Sequence, residues 1–372
     1  MLYFSFMILT PLLPLYLNDV FKADKDTIGL VLSGYAVTAL LIRPFSGYFV
    51  DSFPRKAVLL FFYGLFALLF GGYLVAGSLA VFSIVRTLHG APMGAATVAN
   101  NTVAIDVLPS SRRAEGIGYY GLSNNMATAI APTIGIMLWH WTGSYNILFL
   151  VALLSGTVGW CINATLHVRT REVRQRPKMS LDRMFLLSGW PEGISMACFS
   201  YSYGVVSTYV AIYAKEVLGM EAGTGLFFTI LCIGLMLSRL VGARSLRRGE
   251  VMQNASHGVC ISFVGYLLFA TIQQPWAMYL SALIVGLGNG HMFPAFQTMF
   301  INLAPNSQRG TANGTLLTSW DIGMGLGITL GGLLSETIGY NGAFRSAWMV
   351  NITGVIFYFA YVRSHYMRHR VQ

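Results

Sequence analysis

The chain has 372 residues, of which 55% are hydrophobic and only 10% charged, with a formal net charge of +10 and a mean hydropathy of +0.60. Soluble domains carry about 25% charged residues, so this composition excludes a water-soluble globular protein, which would lack the charges to cover its surface. It describes a chain whose surface faces lipid.

Twelve hydrophobic segments follow one another along the sequence. The first half holds Leu2–Leu17, Ile28–Val50, Ala57–Ala76, Leu79–Asn101, Gly116–Trp139 and Tyr145–His167 (spans 1 to 6). The second holds Phe185–Ala214, Gly223–Ala243, Met252–Ile272, Trp276–Ile301, Thr311–Thr337 and Phe344–Val362 (spans 7 to 12). Most reach the roughly 20 residues needed to cross a bilayer. They lack the strict alternation of barrel strands, so they are expected to be helices that satisfy their own backbone in lipid. The 40 glycines fit this reading, because small residues let membrane helices approach closely. Span 1 has neither a basic flank nor a small-residue cleavage site and does not read as a signal peptide.

Lys and Arg set the orientation. Arg55, Lys56, Arg112, Arg113, six residues between Arg169 and Arg183, Arg244, Arg247, Arg248, Arg309, Arg363, Arg368 and Arg370 lie on one side, 17 in all. Only 4 lie opposite: Lys22, Lys25, Lys215 and Arg345. The bias places the first set and both termini in the cytoplasm. It also accounts for the positive net charge, so no nucleic-acid partner is expected. The longest polar stretch, RTREVRQRPKMSLDR over Arg169–Arg183, reads as a basic cytoplasmic linker on anionic headgroups. The expected organisation is a first bundle at 1–168, the linker at 169–184, a second bundle at 185–363 and a tail at 364–372.

The two halves are related. At one offset of 196 positions Arg43 pairs with Arg239, Gly90 with Gly286, Gly94 with Gly290, Pro109 with Pro305, Ser111 with Ser307, Arg113 with Arg309, Gly118 with Gly314 and Gly135 with Gly331. A hydrophobic chain of two related halves is the signature of a transporter built on a pseudo-two-fold axis. The same offset aligns Met1 with Ala197, whereas span 7 begins near Phe185. Span 1 is therefore expected to be truncated by about ten residues relative to its counterpart. Cys161, Cys198, Cys232 and Cys260 lie inside apolar segments without a CxxC pair and read as small buried hydrophobes. His89 and His291 have no ligand spacing, so no metal site is expected, and no cofactor.

The loop after span 2 carries Gly47, Asp51, Arg55 and Lys56, with Ser52 and Pro54 between them. Span 4 carries Arg86 and Gly90 four residues apart, and span 5 carries Ala127, Ala131, Pro132 and Gly135. On these residues the whole chain resembles the major facilitator superfamily, in particular its twelve-helix drug and sugar efflux branch. It departs from the family pattern at Ser52 and Pro54, and has alanine at two span-5 positions where glycine is usual. The resemblance implies an all-α integral membrane protein whose twelve transmembrane helices form two pseudo-symmetric six-helix bundles. These would expose one central site alternately to each side. No GxxxxGK[ST] run is present, so coupling falls to an ion gradient, and protons are the expected ion.

Charges inside spans must face protein or water. Asp321, about ten residues into span 11, has Asn125 as its repeat mate. It reads either as a proton or cation-solute site or as a structural acid tying span 11 to a neighbour. Arg86 is expected to face the cavity by resemblance, tuning a proton-binding group or holding solute, or else to pair with backbone carbonyls or Glu115. Polar residues at mid-span complete the cavity set: Asn100, Asn101, Asn124, Asn125, Tyr201, Tyr203, Asn289, His291, Gln297 and Trp320. Arg43 and Arg239, near the cytoplasmic ends of spans 2 and 8, fit gate or packing roles. Asp51 is expected to pair with Arg112 or Arg113 and to meet the helix N-terminus that follows Pro305–Arg309. The gate set is thus Gly47, Asp51, Arg55, Lys56, Arg43, Arg112, Arg113, Arg239 and Arg309. Pro132, with Ala127, Ala131 and Gly135, makes a bent, closely packing face. The expected function is proton-coupled efflux of a small organic solute across the cytoplasmic membrane by a monomer, with import of a nutrient as the alternative. No catalytic pair or HExxH run is present, so no enzyme is expected.

Overall fold

A computed structural model describes residues 1–23, 25–109, 112–168, 180–220 and 224–371, and among them every regular element is helical. In chain order these are α1 (Leu2–Met7), α2 (Leu13–Phe21), α3 (Lys25–Ser52), α4 (Arg55–Leu74), α5 (Leu79–Val107), α6 (Arg113–Thr142), α7 (Tyr145–Thr165), α8 (Leu181–Met184), α9 (Trp190–Glu216), α10 (Thr224–Arg247), α11 (Val251–Thr271), α12 (Pro275–Leu303), α13 (Arg309–Phe357) and α14 (Arg363–His369). A π-helical turn over Tyr358–Val362 joins the last two. The linker residues 169–179 fall outside the described set, and the short α8 occupies the linker's end.

Among the described residues four stretches are by themselves long and apolar enough to cross a bilayer: Leu30–Ser52, Arg55–Leu74, Tyr145–Thr165 and Asn306–His369. Their outer faces suit lipid. On α7, Leu150, Leu154, Val158 and Ile162 recur every four residues and are all about half exposed, which is one stripe of a helix. Such a stripe would be a liability in water and is natural against acyl chains. Other long helices are less apolar because their buried faces carry polar and small residues, as α12 does with Gly286, Gly288, Asn289, Gly290, His291 and Gln297.

One expectation about element boundaries is corrected and another is refined. Span 1 is not one helix but two, α1 and α2, interrupted over 8–12. Pro11 lacks an N–H and disfavours helical backbone at Thr10, and the interruption is held by turn bonds from Leu12 N and Leu13 N to Leu9 O. Spans 11 and 12 are the two helices of α13, which meet at a kink at Gly339, whose φ of 77° and ψ of 169° only glycine adopts readily.

The chain divides into two compact units. The first holds Met1–Val107 and Ser123–Phe185, and the second Leu108–Leu122 and Leu186–Gln372. Each unit is crossed by a close helix pair that glycine permits. In the first, a methyl placed on Gly90 would strike the Tyr35 carbonyl, and one on Gly94 the Ala39 carbonyl, where α5 crosses α3. In the second, Gly286 abuts the Leu231 carbonyl and Gly290 lies against Ser238 and the Leu235 carbonyl, where α12 crosses α10. Leu231 and Leu235 stand 196 positions after Tyr35 and Ala39, so the repeat seen in the glycines extends to the surfaces they meet.

The cores repeat as well. In the first unit Tyr16 and Tyr73 pack on Phe149, with centroids 5.1 and 5.4 Å away. In the second, Tyr213 and Phe269 pack on Phe344 at 5.0 and 4.7 Å. Three of these four contacts are edge-to-face and the Tyr73–Phe149 pair is tilted; aromatic pairs of this kind add about 0.5–1.5 kcal/mol beyond area burial.

Candidate functional site

The turn from α3 to α4 creates the first cluster. α3 ends at Ser52, and Pro54 sits at the N-cap of α4, where its missing N–H costs nothing. Arg55 then opens α4 within reach of two carboxylates. Its Nη2 donates to Asp51 Oδ1 at 3.1 Å and its Nη1 to Asp106 Oδ2 at 2.5 Å. The three side chains are 9%, 2% and 17% exposed, so one guanidinium ties the ends of α3, α4 and α5 under little solvent. Lys56 does something different. Its Nζ donates to Ala164 O at 2.7 Å and Leu166 O at 2.8 Å, satisfying carbonyls at the C-terminus of α7 that have no intrahelical donor.

Asp106 ends span 4 on the same side as the basic pair, a placement legible in the sequence, whereas its pairing with Arg55 comes from the packing of α5 on α3 and α4. Gly47 is buried and Arg43 half-buried on α3, while Arg112 is exposed and Arg113 partly buried at the start of α6. Arg309 is buried at the start of α13. The side chain of Arg239 lies outside the described residues.

Arg86 organises a second cluster in the first unit. It is 4% exposed, about two turns into α5. Its guanidinium lies 4.1 Å from the centroid of the Tyr35 ring and 5.6 Å from that of Phe6. Phe6 and Tyr35 are themselves stacked, 4.9 Å apart and 10° from parallel. Nη1 of Arg86 reaches Tyr73 Oη at 3.4 Å, and Tyr73 Oη shares a 2.8 Å hydrogen bond with His89 Nδ1. No carboxylate pairs with Arg86 among the described residues, and neither Arg86 Nε nor Tyr35 Oη has a hydrogen-bond partner there. Two cation–π contacts, worth up to about 2 kcal/mol each when desolvated, set against about 2.5–3.5 kcal/mol for a charge at the bilayer centre, leave this arginine tolerable but unneutralised.

In the second unit Trp320 on α13 packs against Tyr203 at 5.7 Å and Phe293 at 5.4 Å. Asp321, next in sequence, is half-buried. Tyr201 Oη lies 3.3 Å from Ser346 Oγ. His291 is buried in an interhelical network. Its Nδ1 is 2.9 Å from Asn254 Oδ1, and Asn254 Nδ2 donates back to the His291 carbonyl at 2.9 Å. Gln297 Nε2 donates to Asn313 Oδ1 at 3.2 Å, joining α12 to α13. Asn289 is buried with its Oδ1 unpaired among the described residues. In the first unit Asn101 is buried, and Asn100, Asn124 and Asn125 are half-buried. On α6, Ala131 is fully buried, Gly135 meets the Ile8 carbonyl, and Ala127 and Pro132 are half-buried. Among the described residues no three His, Cys, Asp or Glu side chains cluster as metal ligands would.

Comparison with known proteins gives these clusters a context. The model of the Major Facilitator Superfamily matches residues 1–323 and 255–371. The chain is 26% identical over 339 residues to an uncharacterized MFS-type transporter, YhhS, of Escherichia coli strain K12, covering 88% of this chain and 81% of that one. It is 23% identical over 367 residues to the staphylopine export protein of Staphylococcus aureus strain Mu50, covering 94% and 89%. Its fold is similar to that of the human organic anion transporter MFSD10, with a TM-score of 0.79, 15% identity and 96% of each chain covered. These relatives are transporters and not enzymes.

Proposed function

We propose that this chain, which belongs to the Major Facilitator Superfamily, exports a small organic solute across the cytoplasmic membrane in exchange for protons. In this reading it spans the bilayer twelve times as two six-helix bundles, with both termini in the cytoplasm. It acts as a monomer by alternating access. Three features support the reading: the bias of Lys and Arg to one side of the spans, the small-residue face of α6, and the near full-length likeness to an export protein.

Proton coupling rests on one observation. Asp321 is a half-buried acid midway along a membrane-length helix, beside the Trp320–Tyr203–Phe293 ring group. A carboxylate in such a place is a natural proton carrier. The cavity set of Arg86, Asn100, Asn101, Asn124, Asn125, Tyr201, Tyr203, Asn289, His291, Gln297 and Trp320 belongs to the same proposal. So does a cytoplasmic latch formed by Asp51 and Arg55, now joined by Asp106.

Asp321→Asn in the full chain, reconstituted into vesicles, tests the coupling. Solute flux is measured with and without a pH gradient. The variant is expected to keep downhill exchange and lose its response to the gradient. An undiminished response would remove Asp321 from the coupling mechanism.

A further inference from the structure

The internal repeat supplies a control for the Arg86 cluster. At the offset of 196, Tyr35, Tyr73, Arg86 and His89 correspond to Leu231, Phe269, Ala282 and Val285. All four counterparts are buried in the second unit's hydrophobic core, at 4%, 4%, 0% and 3% exposure. The same helix crossing is thus built there with hydrocarbon side chains at these four positions. The fold does not require a cation, an imidazole or two phenols at this place. The first unit nevertheless keeps them, buried, at a position where a charge needs compensation.

Among the described residues of the first unit no carboxylate compensates Arg86. The groups facing Arg86 are the Tyr35 and Phe6 rings and the Tyr73 hydroxyl, with His89 behind Tyr73. None is a carboxylate. Arg86 Nε is buried and unpaired among the described residues. A guanidinium offers a planar fork of donors matched to the two oxygens of a carboxylate, and among the described residues no carboxylate meets this fork.

Resting on the transporter reading, we propose that Arg86 is the anchor for a carboxylate carried by the transported solute, which makes the substrate class a small organic acid. The Arg86 fork receives the two carboxylate oxygens. Tyr73 and His89 hold the guanidinium in place as positioning residues, through the 3.4 Å and 2.8 Å contacts. The stacked Phe6–Tyr35 pair covers the fork when no acid is present. Phe6 rides on the short α1, which the break at Pro11 separates from α2.

The test uses purified full chain in lipid nanodiscs and matched probe pairs: benzoate against benzamide, and hippurate against its methyl ester. Binding is read by calorimetry, and folding by the melting temperature. The acid of at least one pair is expected to bind about tenfold or more tightly than its neutral partner. Arg86→Gln should erase that preference, Arg86→Lys should reduce it several-fold by losing the bidentate geometry, and Tyr73→Phe should weaken acid and leave amide binding unchanged. Equal binding of acid and neutral partners, binding of no acid at all, or an acid preference that survives Arg86→Gln would each overturn the proposal. If Arg86→Gln fails to fold, Arg86→Lys and Tyr73→Phe decide, and an unchanged acid preference in both counts against it. The wider transport reading fails separately. It falls when wild-type vesicles move no solute beyond empty ones, whereas flux of neutral or cationic solutes that ignores Arg86→Gln removes only the organic-acid assignment.

Discussion

Gly90 and Gly286 carry the sharpest structural prediction. A Cβ at Gly90 would lie closer than 3.0 Å to the Tyr35 carbonyl, a separation that Cβ atoms essentially never show, and would also press on Thr38 Oγ1. A backbone oxygen inside a helix cannot swing aside, so α3 and α5 must separate. Thr38 would then loosen its hydroxyl bond to the Thr87 carbonyl, which joins the same two helices. Overpacking of this kind costs about 1–3 kcal/mol. A gap of about 0.5–1 Å forfeits a quarter to a half of the dispersion attraction along the crossing. Against this, alanine gains about 0.5–1 kcal/mol over glycine in a helix interior. The net expectation for Gly90→Ala is a loss of about 1–3 kcal/mol. Gly286→Ala, against the Leu231 carbonyl, should lose a similar amount because it repeats the same crossing. Gly71 on α4 has nothing within 4 Å of an added methyl, so Gly71→Ala should be neutral or stabilising by up to about 1 kcal/mol. Thermal unfolding of the three variants in one detergent, followed by intrinsic fluorescence, measures this. Gly90→Ala and Gly286→Ala at wild-type stability, or a Gly71→Ala variant less stable than either, would refute the close-crossing argument.

Other perturbations follow from single contacts. Arg55→Gln removes the guanidinium shared by Asp106 and the Asp51 carboxylate, which is 2% exposed, and should cost about 3 kcal/mol. Adding Asp106→Asn should recover part of the loss in the same denaturation assay, and a strictly additive double variant would argue against a shared guanidinium. Lys56→Met removes two charge-assisted bonds to the α7 C-terminus, at about 1–3 kcal/mol. Hydrogen exchange should quicken in the last turn of α7 and not elsewhere. Gly339→Val puts a branched side chain at φ 77°, a strain of about 1–3 kcal/mol. Since nothing lies within 4 Å of that glycine, filling of space cannot mask the backbone term in a melting experiment.

Helical class, membrane character and internal repeat were readable because each is a local or periodic property. Low charge, segment length and paired glycines at one offset carry that information without tertiary knowledge. The break in span 1 was missed because a hydropathy reading treats Pro11 as one more apolar residue, although its chemistry interrupts a helix. The Arg55 fork was half visible. Asp51 lies four residues away on a continuous turn, but Asp106 is brought in by the packing of α5, 51 positions along the chain. Arg86 drew notice as a charge within a span. Its partners Phe6, Tyr35 and Tyr73 come from three other helices and are unremarkable aromatics among many. His291 and Asn254, 37 positions apart, are likewise a pair that only packing reveals.

The central claim is that the chain moves a small organic solute in response to a proton gradient. The most direct measurement loads vesicles containing the purified full chain with a mixture of bacterial small molecules, imposes a pH gradient, and follows by mass spectrometry which compounds cross. The account predicts that a limited set of solutes crosses in wild-type vesicles, that a protonophore abolishes their gradient-driven accumulation, and that Asp321→Asn behaves as wild type does with the protonophore present. Solute movement indistinguishable from that of empty vesicles, with or without the gradient, would contradict it.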